Sequence, residues 1–135
     1  MNNIYENTYI KVLYNQNEQL VYFEYSSKTE NMDVEEYTLI LKDFIEIMYQ
    51  YRPKKILGNM AHFNFIIAPD FQEWINENLF SAYATIALDK IAIISSHEYI
   101  SSLSIEQTME EDSAQSYKFE YFKDNKDAEA WLMAT

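Results

Sequence analysis

The sequence predicts a single α/β domain spanning residues 1–135. Three observations predict it. Segments patterned as strands alternate with segments patterned as helices along the whole chain, which is the signature of a sheet covered by helices. No internal repeat, low-complexity tract or Pro/Gly/Ser-rich linker interrupts that alternation. The length is that of one domain able to bury a real core. The predicted order is β-β-α-β-α-β-α-β-α, a mixed sheet wound with successive β-α units.

Each element has a local reason. Thr8–Tyr14 and Gln19–Tyr25 are rich in β-branched and aromatic residues, and Asn15-Gln16-Asn17-Glu18 between them is turn chemistry, so they read as a hairpin. Ile10, Val12 and Tyr14 share one face, as do Val21, Phe23 and Tyr25. Asp33–Tyr51 is the clearest helix. Asp33 and Glu36 have capping-box spacing, Met32 and Tyr37 occupy the staple positions, and Val34, Tyr37, Leu41, Phe44, Met48 and Tyr51 form an apolar stripe. Pro53 stops it. Lys55–Asn59 reads as a short strand and Met60–Ala68 as a loop or ragged strand extension.

Pro69 opens a second helix at a tolerated first-turn position, with Phe71, Trp74, Ile75, Leu79 and Tyr83 on its apolar side. Lys90–Ser95 contains the run Ile91-Ala92-Ile93-Ile94, the mark of a central strand buried on both faces. Ser104-Ile105-Glu106-Gln107 has capping-box spacing and predicts a third helix from Ile105. Tyr117–Phe122 reads as the last strand. Asp124, with Asp127 three residues on, caps a final helix whose Ala128, Trp131 and Leu132 are expected to be buried against the sheet.

Composition excludes whole classes of function. With one glycine, the chain cannot form the dinucleotide fingerprint, the phosphate-binding P-loop or the nucleophile elbow of hydrolases. With no cysteine it has no disulfide, thiol nucleophile or iron–sulfur cluster, and its two histidines are too few for a three-histidine metal site. The formal net charge of −12 argues against nucleic acid, since phosphate contacts need clustered Lys and Arg. The one basic cluster, Arg52-Pro53-Lys54-Lys55, reads as loop charge after a helix C-terminus. Neither a signal-peptide pattern nor a run of about 20 apolar residues is present, so the expectation is a cytoplasmic protein with no membrane span.

The layout of a hairpin followed by β-to-α steps, closed by Phe122-x-x-x-x-Asp127-Ala128-x-x-Trp131-Leu132, resembles the SpoIIAA-like (STAS/SEC14-like) family of small bacterial proteins. The resemblance implies a sheet wound with helices and a regulatory or binding role rather than a catalytic one. Its best known members are anti-sigma-factor antagonists switched by a phosphoserine at the start of the helix after the first long helix and its following strand. Here that turn is Ile66-Ile67-Ala68-Pro69-Asp70, and no serine or threonine occurs from Leu39 to Phe80. The chain thus departs from the family at the switch. The SEC14-like side of the resemblance implies, as the alternative, a carrier or binding protein for a small lipid-like apolar ligand.

Two sets of residues are candidates for function. Ligands of open α/β sheets gather at the carboxyl ends of strands. There the sequence offers Asn59, His62 and Asn64 after one strand and Ser95, Ser96 and His97 after another. If the two strands are parallel neighbours, both histidines reach one rim, where Glu98 or Asp70 would complete a metal site or an acid–base pair. The alternative is that each is a loop residue satisfying backbone groups. His97-Glu98-Tyr99-Ile100-Ser101 has Ser where a zinc-protease motif needs its second His. Ser101 and Ser102 lie near a helix start, and Glu106, Glu110, Glu111 and Asp112 read as a solvated acidic edge.

The second set is aromatic. Among twelve Tyr, eight Phe and two Trp, Phe63, Phe65, Phe71 and Trp74 cluster around the uncharged stretch Met60–Ala68. They read as core, as a pocket for an apolar ligand, or as a homodimer face with Phe63 and Phe65 as its contacts. The sequence calls for no cofactor and no metal. It reads as a non-enzymatic protein-interaction module that forms a homodimer or binds another protein.

Overall fold

A computed structural model describes residues 1–110 and 116–134. It contains a six-stranded sheet whose spatial order is the chain order: β1 (Asn2–Glu6), β2 (Ile10–Asn15), β3 (Leu20–Tyr25), β4 (Lys55–Asn59), β5 (Lys90–Ile94) and β6 (Lys118–Phe122). The first three strands pair antiparallel and the last four parallel, with β3 in both groups. The helices are α1 (Val34–Tyr51), α2 (Pro69–Ile75), α3 (Ser81–Thr85), α4 (Tyr99–Glu110) and α5 (Asn125–Met133). The α/β architecture of successive β-α units is the one the alternation predicts.

Every crossover moves one strand further in the same direction, which sends the connecting helices to one face of the sheet. Side chains from α1, α2, α3 and α4 join Val12, Val21, Ile56, Ile91 and Ile93 in one core. On the opposite face α5 covers β4, β5 and β6, where Ala128 and Leu132 meet Leu20, Leu57, Ala92 and Ile94. Residues Ile91–Ile94 are buried, as expected of a strand flanked on both sides and covered on both faces.

The N-terminal half follows its local signals. Asp33 accepts from the Glu36 amide at 2.8 Å and Glu36 accepts from the Asp33 amide at 3.0 Å, completing the capping box of α1. Met32 and Tyr37 are both buried, as a staple requires. The stripe of α1 is wider than a seam: Ile40 and Ile47 join Tyr37, Leu41, Phe44 and Met48 in the core, whereas Val34 is exposed. Arg52 ends the helix in the left-handed conformation (φ 46°) with its amide on the Met48 carbonyl, ahead of Pro53.

Several boundaries differ from expectation. β1 is an additional edge strand, and the ladder is irregular between Asn3 and Tyr5. The hairpin ladder closes at Asn15 and Leu20, so the loop is shifted by one residue and Gln19 takes the positive φ of 51°. Met60–Ala68 forms no strand. The second helical run contains a π-helical turn, Asn76–Phe80, between α2 and α3.

The capping-box prediction at Ser104 is overturned. Helix α4 begins at Tyr99, and Ser104 lies inside it, buried, with its hydroxyl donating to the Ser101 carbonyl at 2.8 Å and accepting from the Ile67 amide at 3.1 Å. Trp131 is also corrected: it is half-buried at the rim of the α5 face, whereas Ala128 and Leu132 are fully buried. Asp124 does cap α5, accepting from the Asp127 amide at 2.9 Å. Glu106 and Glu110 are exposed, while the Glu111 and Asp112 part of the acidic edge lies outside the described residues.

Candidate functional site

The carboxyl ends of β3, β4 and β5 form one rim, because these strands are parallel neighbours. The expected meeting of the histidines occurs there: the rings of His62 and His97 are 5.5 Å apart and nearly perpendicular, and both side chains are exposed. The remaining polar residues of the rim hold backbone. Asn59 donates to the Tyr22 hydroxyl at 3.2 Å and accepts from the Ala61 amide at 3.0 Å. Ser95 donates its amide to the Phe122 carbonyl, and His97 donates its own to the Ala61 carbonyl at 2.9 Å.

Asn64 is held through Thr29, a residue that sequence reasoning passed over. Thr29 is fully buried in a short 3-10 turn, Ser27–Asn31. Its hydroxyl accepts from the Asn64 amide at 2.9 Å and lies 3.3 Å from the His62 carbonyl. Ser96, one of the polar residues expected at the strand ends, does the same from the other side: its buried hydroxyl donates to the Phe63 carbonyl at 2.8 Å and accepts from the Glu98 amide at 3.1 Å. These two hydroxyls pin the long loop after β4 to its neighbours on either side.

Both acids expected beside the histidines accept a backbone amide at a helix start. Glu98 accepts from the Ser101 amide at 2.7 Å and so caps α4. That backbone hydrogen bond holds its carboxyl below the usual carboxylate range. Asp70 accepts from the Phe71 amide in the first turn of α2. Among the described residues, no group of three or more His, Asp and Glu is arranged to hold a metal ion. A polar cleft of about 420 Å³ lies beside His62, walled by the β1–β2 connection and the end of β3. Its Asn7 side-chain oxygen accepts from the Tyr9 and Ile10 amides.

The aromatic candidates do come together, through a residue the sequence assigned to the staple and stripe of α1. Tyr37 touches Phe63 (5.5 Å between ring centroids), Phe65 (5.0 Å) and Phe71 (5.5 Å). Phe71 and Trp74 stack in parallel at 5.2 Å. The four rings differ in depth, however. Phe63 has no exposed surface and packs on Tyr25 at 4.8 Å, so it is core and not an interface contact. Phe65, Phe71 and Trp74 are half-buried, and Ile66 between them in sequence is 57% exposed. The loop turns Phe63 and Ile67 inward and leaves Phe65 and Ile66 toward the surface.

Further surface hydrophobics stand nearby. The Ile67 amide is bonded to Ser104 of α4, and Ile100 and Leu103 on that helix are exposed. Buried Gln72 ties the same corner together, donating to the Ile67 carbonyl at 2.8 Å and reaching the Gln107 side chain at 3.3 Å. Tyr83 belongs elsewhere, buried against Phe80 and Tyr117, and Tyr99 is largely exposed.

In comparisons with protein-family models, curated proteins and solved structures, nothing matches this chain. No helix of the described residues is long and apolar enough to cross a membrane.

Proposed function

We propose that the protein is a non-enzymatic interaction module of the cytoplasm, of SpoIIAA-like kind but without the serine switch, and that it associates with a second copy of itself. One observation carries this reading. Phe65, Ile66, Phe71 and Trp74 form a partly exposed aromatic and aliphatic surface beside a loop, Met60–Ala68, that has no Asp, Glu, Lys or Arg in a chain of net charge −12. Interface centres are depleted of charge and enriched in aromatic anchors. An uncharged surface is also where two copies of a strongly acidic chain can meet without bringing carboxylates together. A two-fold contact would place the same patch on both copies.

The stepwise β-α layout supports the SpoIIAA-like part of the reading, and the rim supports the non-enzymatic part, since Asn59, Ser96 and Glu98 are spent on backbone. Sedimentation equilibrium tests the association. The wild type should show a concentration-dependent dimer, and Phe65→Glu with Ile66→Glu should give folded monomer. A wild type that stays monomeric at high concentration overturns the reading. A basic protein captured at the same patch by a monomeric wild type would replace the second copy as occupant.

A further inference from the structure

We infer that His62 and His97 together hold one divalent transition-metal cation of the zinc, nickel or copper class, as a two-imidazole chelate at the carboxyl rim of the sheet. The site uses one chain only and does not depend on association. The ring centroids are 5.5 Å apart. A zinc–imidazole bond is about 2.0–2.1 Å long and a ring nitrogen stands about 1.1 Å from its centroid, so a bound ion lies about 3.2 Å from each centroid. Two such legs across the observed separation meet at about 120°, and closing the rings by about 0.3 Å gives the tetrahedral angle. The rings are nearly perpendicular, which one ion accommodates because each imidazole bonds through a single nitrogen in its own plane. Both side chains are exposed, so each ring can turn a nitrogen toward the common point about its side-chain torsions.

A second, independent feature holds the pair at this spacing. The two loops that carry it are laced together by hydrogen bonds on both sides of His62. The Met60 amide donates to the Ile94 carbonyl at 3.0 Å, and the His97 amide donates to the Ala61 carbonyl at 2.9 Å. The buried Ser96 hydroxyl donates to the Phe63 carbonyl at 2.8 Å. Thr29 stands behind, with its hydroxyl 3.3 Å from the His62 carbonyl. The distance between the histidines is therefore set by backbone contacts, and an ion has little loop ordering to offset when it binds.

The donor set selects the cation. Imidazole suits zinc, copper and nickel, whereas magnesium and calcium take oxygen ligands. Among the described residues no third His, Asp or Glu joins the pair in a metal-holding group, so water completes the coordination and the ion exchanges freely. The field favours cations as well. The chain carries a net charge of −12, and Glu6 and Glu24 share with Lys11 the cleft beside His62. That field acts on any cation, but only a transition metal gains from the two imidazoles.

The test titrates the intact chain with Zn2+ in excess Mg2+, by calorimetry and by the imidazole nitrogen NMR signals of the two histidines. One Zn2+ should bind per chain with a micromolar Kd, and the signals of both rings should shift together to the same end point. His62→Ala and His97→Ala, each at an exposed side chain, should keep the far-UV circular dichroism of the wild type and each weaken Zn2+ binding at least about tenfold. No saturation by about 1 mM Zn2+ overturns the site. So does binding that neither substitution changes, which would place the ion on carboxylates, or binding that only one of them changes. One ion per two chains overturns the chelate within a single chain.

Discussion

The ring of Phe23 lies directly over Gly58, its partner across the β3–β4 ladder, so closely that a Cβ on residue 58 would sit 2.4 Å from the ring. The one glycine of the chain is thus required for space, in the middle of a parallel strand where glycine otherwise weakens the sheet. Phe23 cannot swing aside easily, because Tyr25 and Phe44 meet it edge-on at 5.7 and 5.3 Å. Gly58→Ala should therefore cost about 1–3 kcal/mol in urea unfolding. Phe23→Leu in the same chain should recover part of the loss; additive losses would show that the two residues do not compete for the space.

The α5 face makes a graded prediction. Leu132 is 1% exposed in the second core, whereas Trp131 is half-buried, packs its ring on Phe122 at 5.7 Å and lies under the Lys90 ammonium at 5.0 Å. Leu132→Ala should cost about 2–5 kcal/mol and Trp131→Ala less than that. The reverse order, measured by chemical denaturation, would mean that α5 is anchored by its rim rather than by its buried side.

Ser104 joins α4 to the loop after β4 through one buried hydroxyl. Ser104→Ala leaves the Ile67 amide without its acceptor and should destabilise the fold by about 1–3 kcal/mol. The loss should appear together with faster hydrogen exchange at Ile67. An unchanged exchange rate would show that another acceptor takes over.

Alkaline pH should unfold the protein through its tyrosines. Burial, then the hydrogen bond from Tyr5 to Asp43, pushes the Tyr5 hydroxyl up to about 12. Burial likewise raises Tyr25, Tyr37 and Tyr83 above their ordinary value. Groups whose proton is held more tightly in the folded state contribute stability that is complete below the unfolded value near 10 and is lost as pH rises through the folded values. Stability should thus be level from neutral pH to about 9 and fall beyond 10. Tyr5→Phe should soften the first part of the decline, and an unaltered alkaline limb would discount Tyr5.

Signals that are local in the chain were legible; those set by distant partners were not. The capping residues of α1 and α5 and the apolar run of β5 speak through neighbours in sequence, and all three elements form where they predict. β1 carries Asn2, Asn3 and Glu6, a polar composition that only pairing with β2 makes into a strand. Ser104 has the right spacing for a cap, but Glu98 competes for the role, and a glutamate is an unusual cap. The meeting of His62 and His97 followed from strand ends alone, given parallel neighbours. The burial of Phe63 did not, since it depends on Tyr25 and Tyr37 arriving from two other elements. The π turn has no local signature in Asn76–Phe80.

Because strand order in the sheet equals strand order in the chain, each new strand finds its neighbour already in place. The hairpin strands need only short loops to pair, and each later strand closes one crossover rather than a sheet-wide connection. Loop-closure entropy is then met in small instalments, as in a stacked repeat, and growth can run from the N-terminus as the chain leaves the ribosome. Helix α5, which follows β6, is the element that covers β4, β5 and β6 from behind, so the sheet acquires its second layer only after its sixth strand has been made.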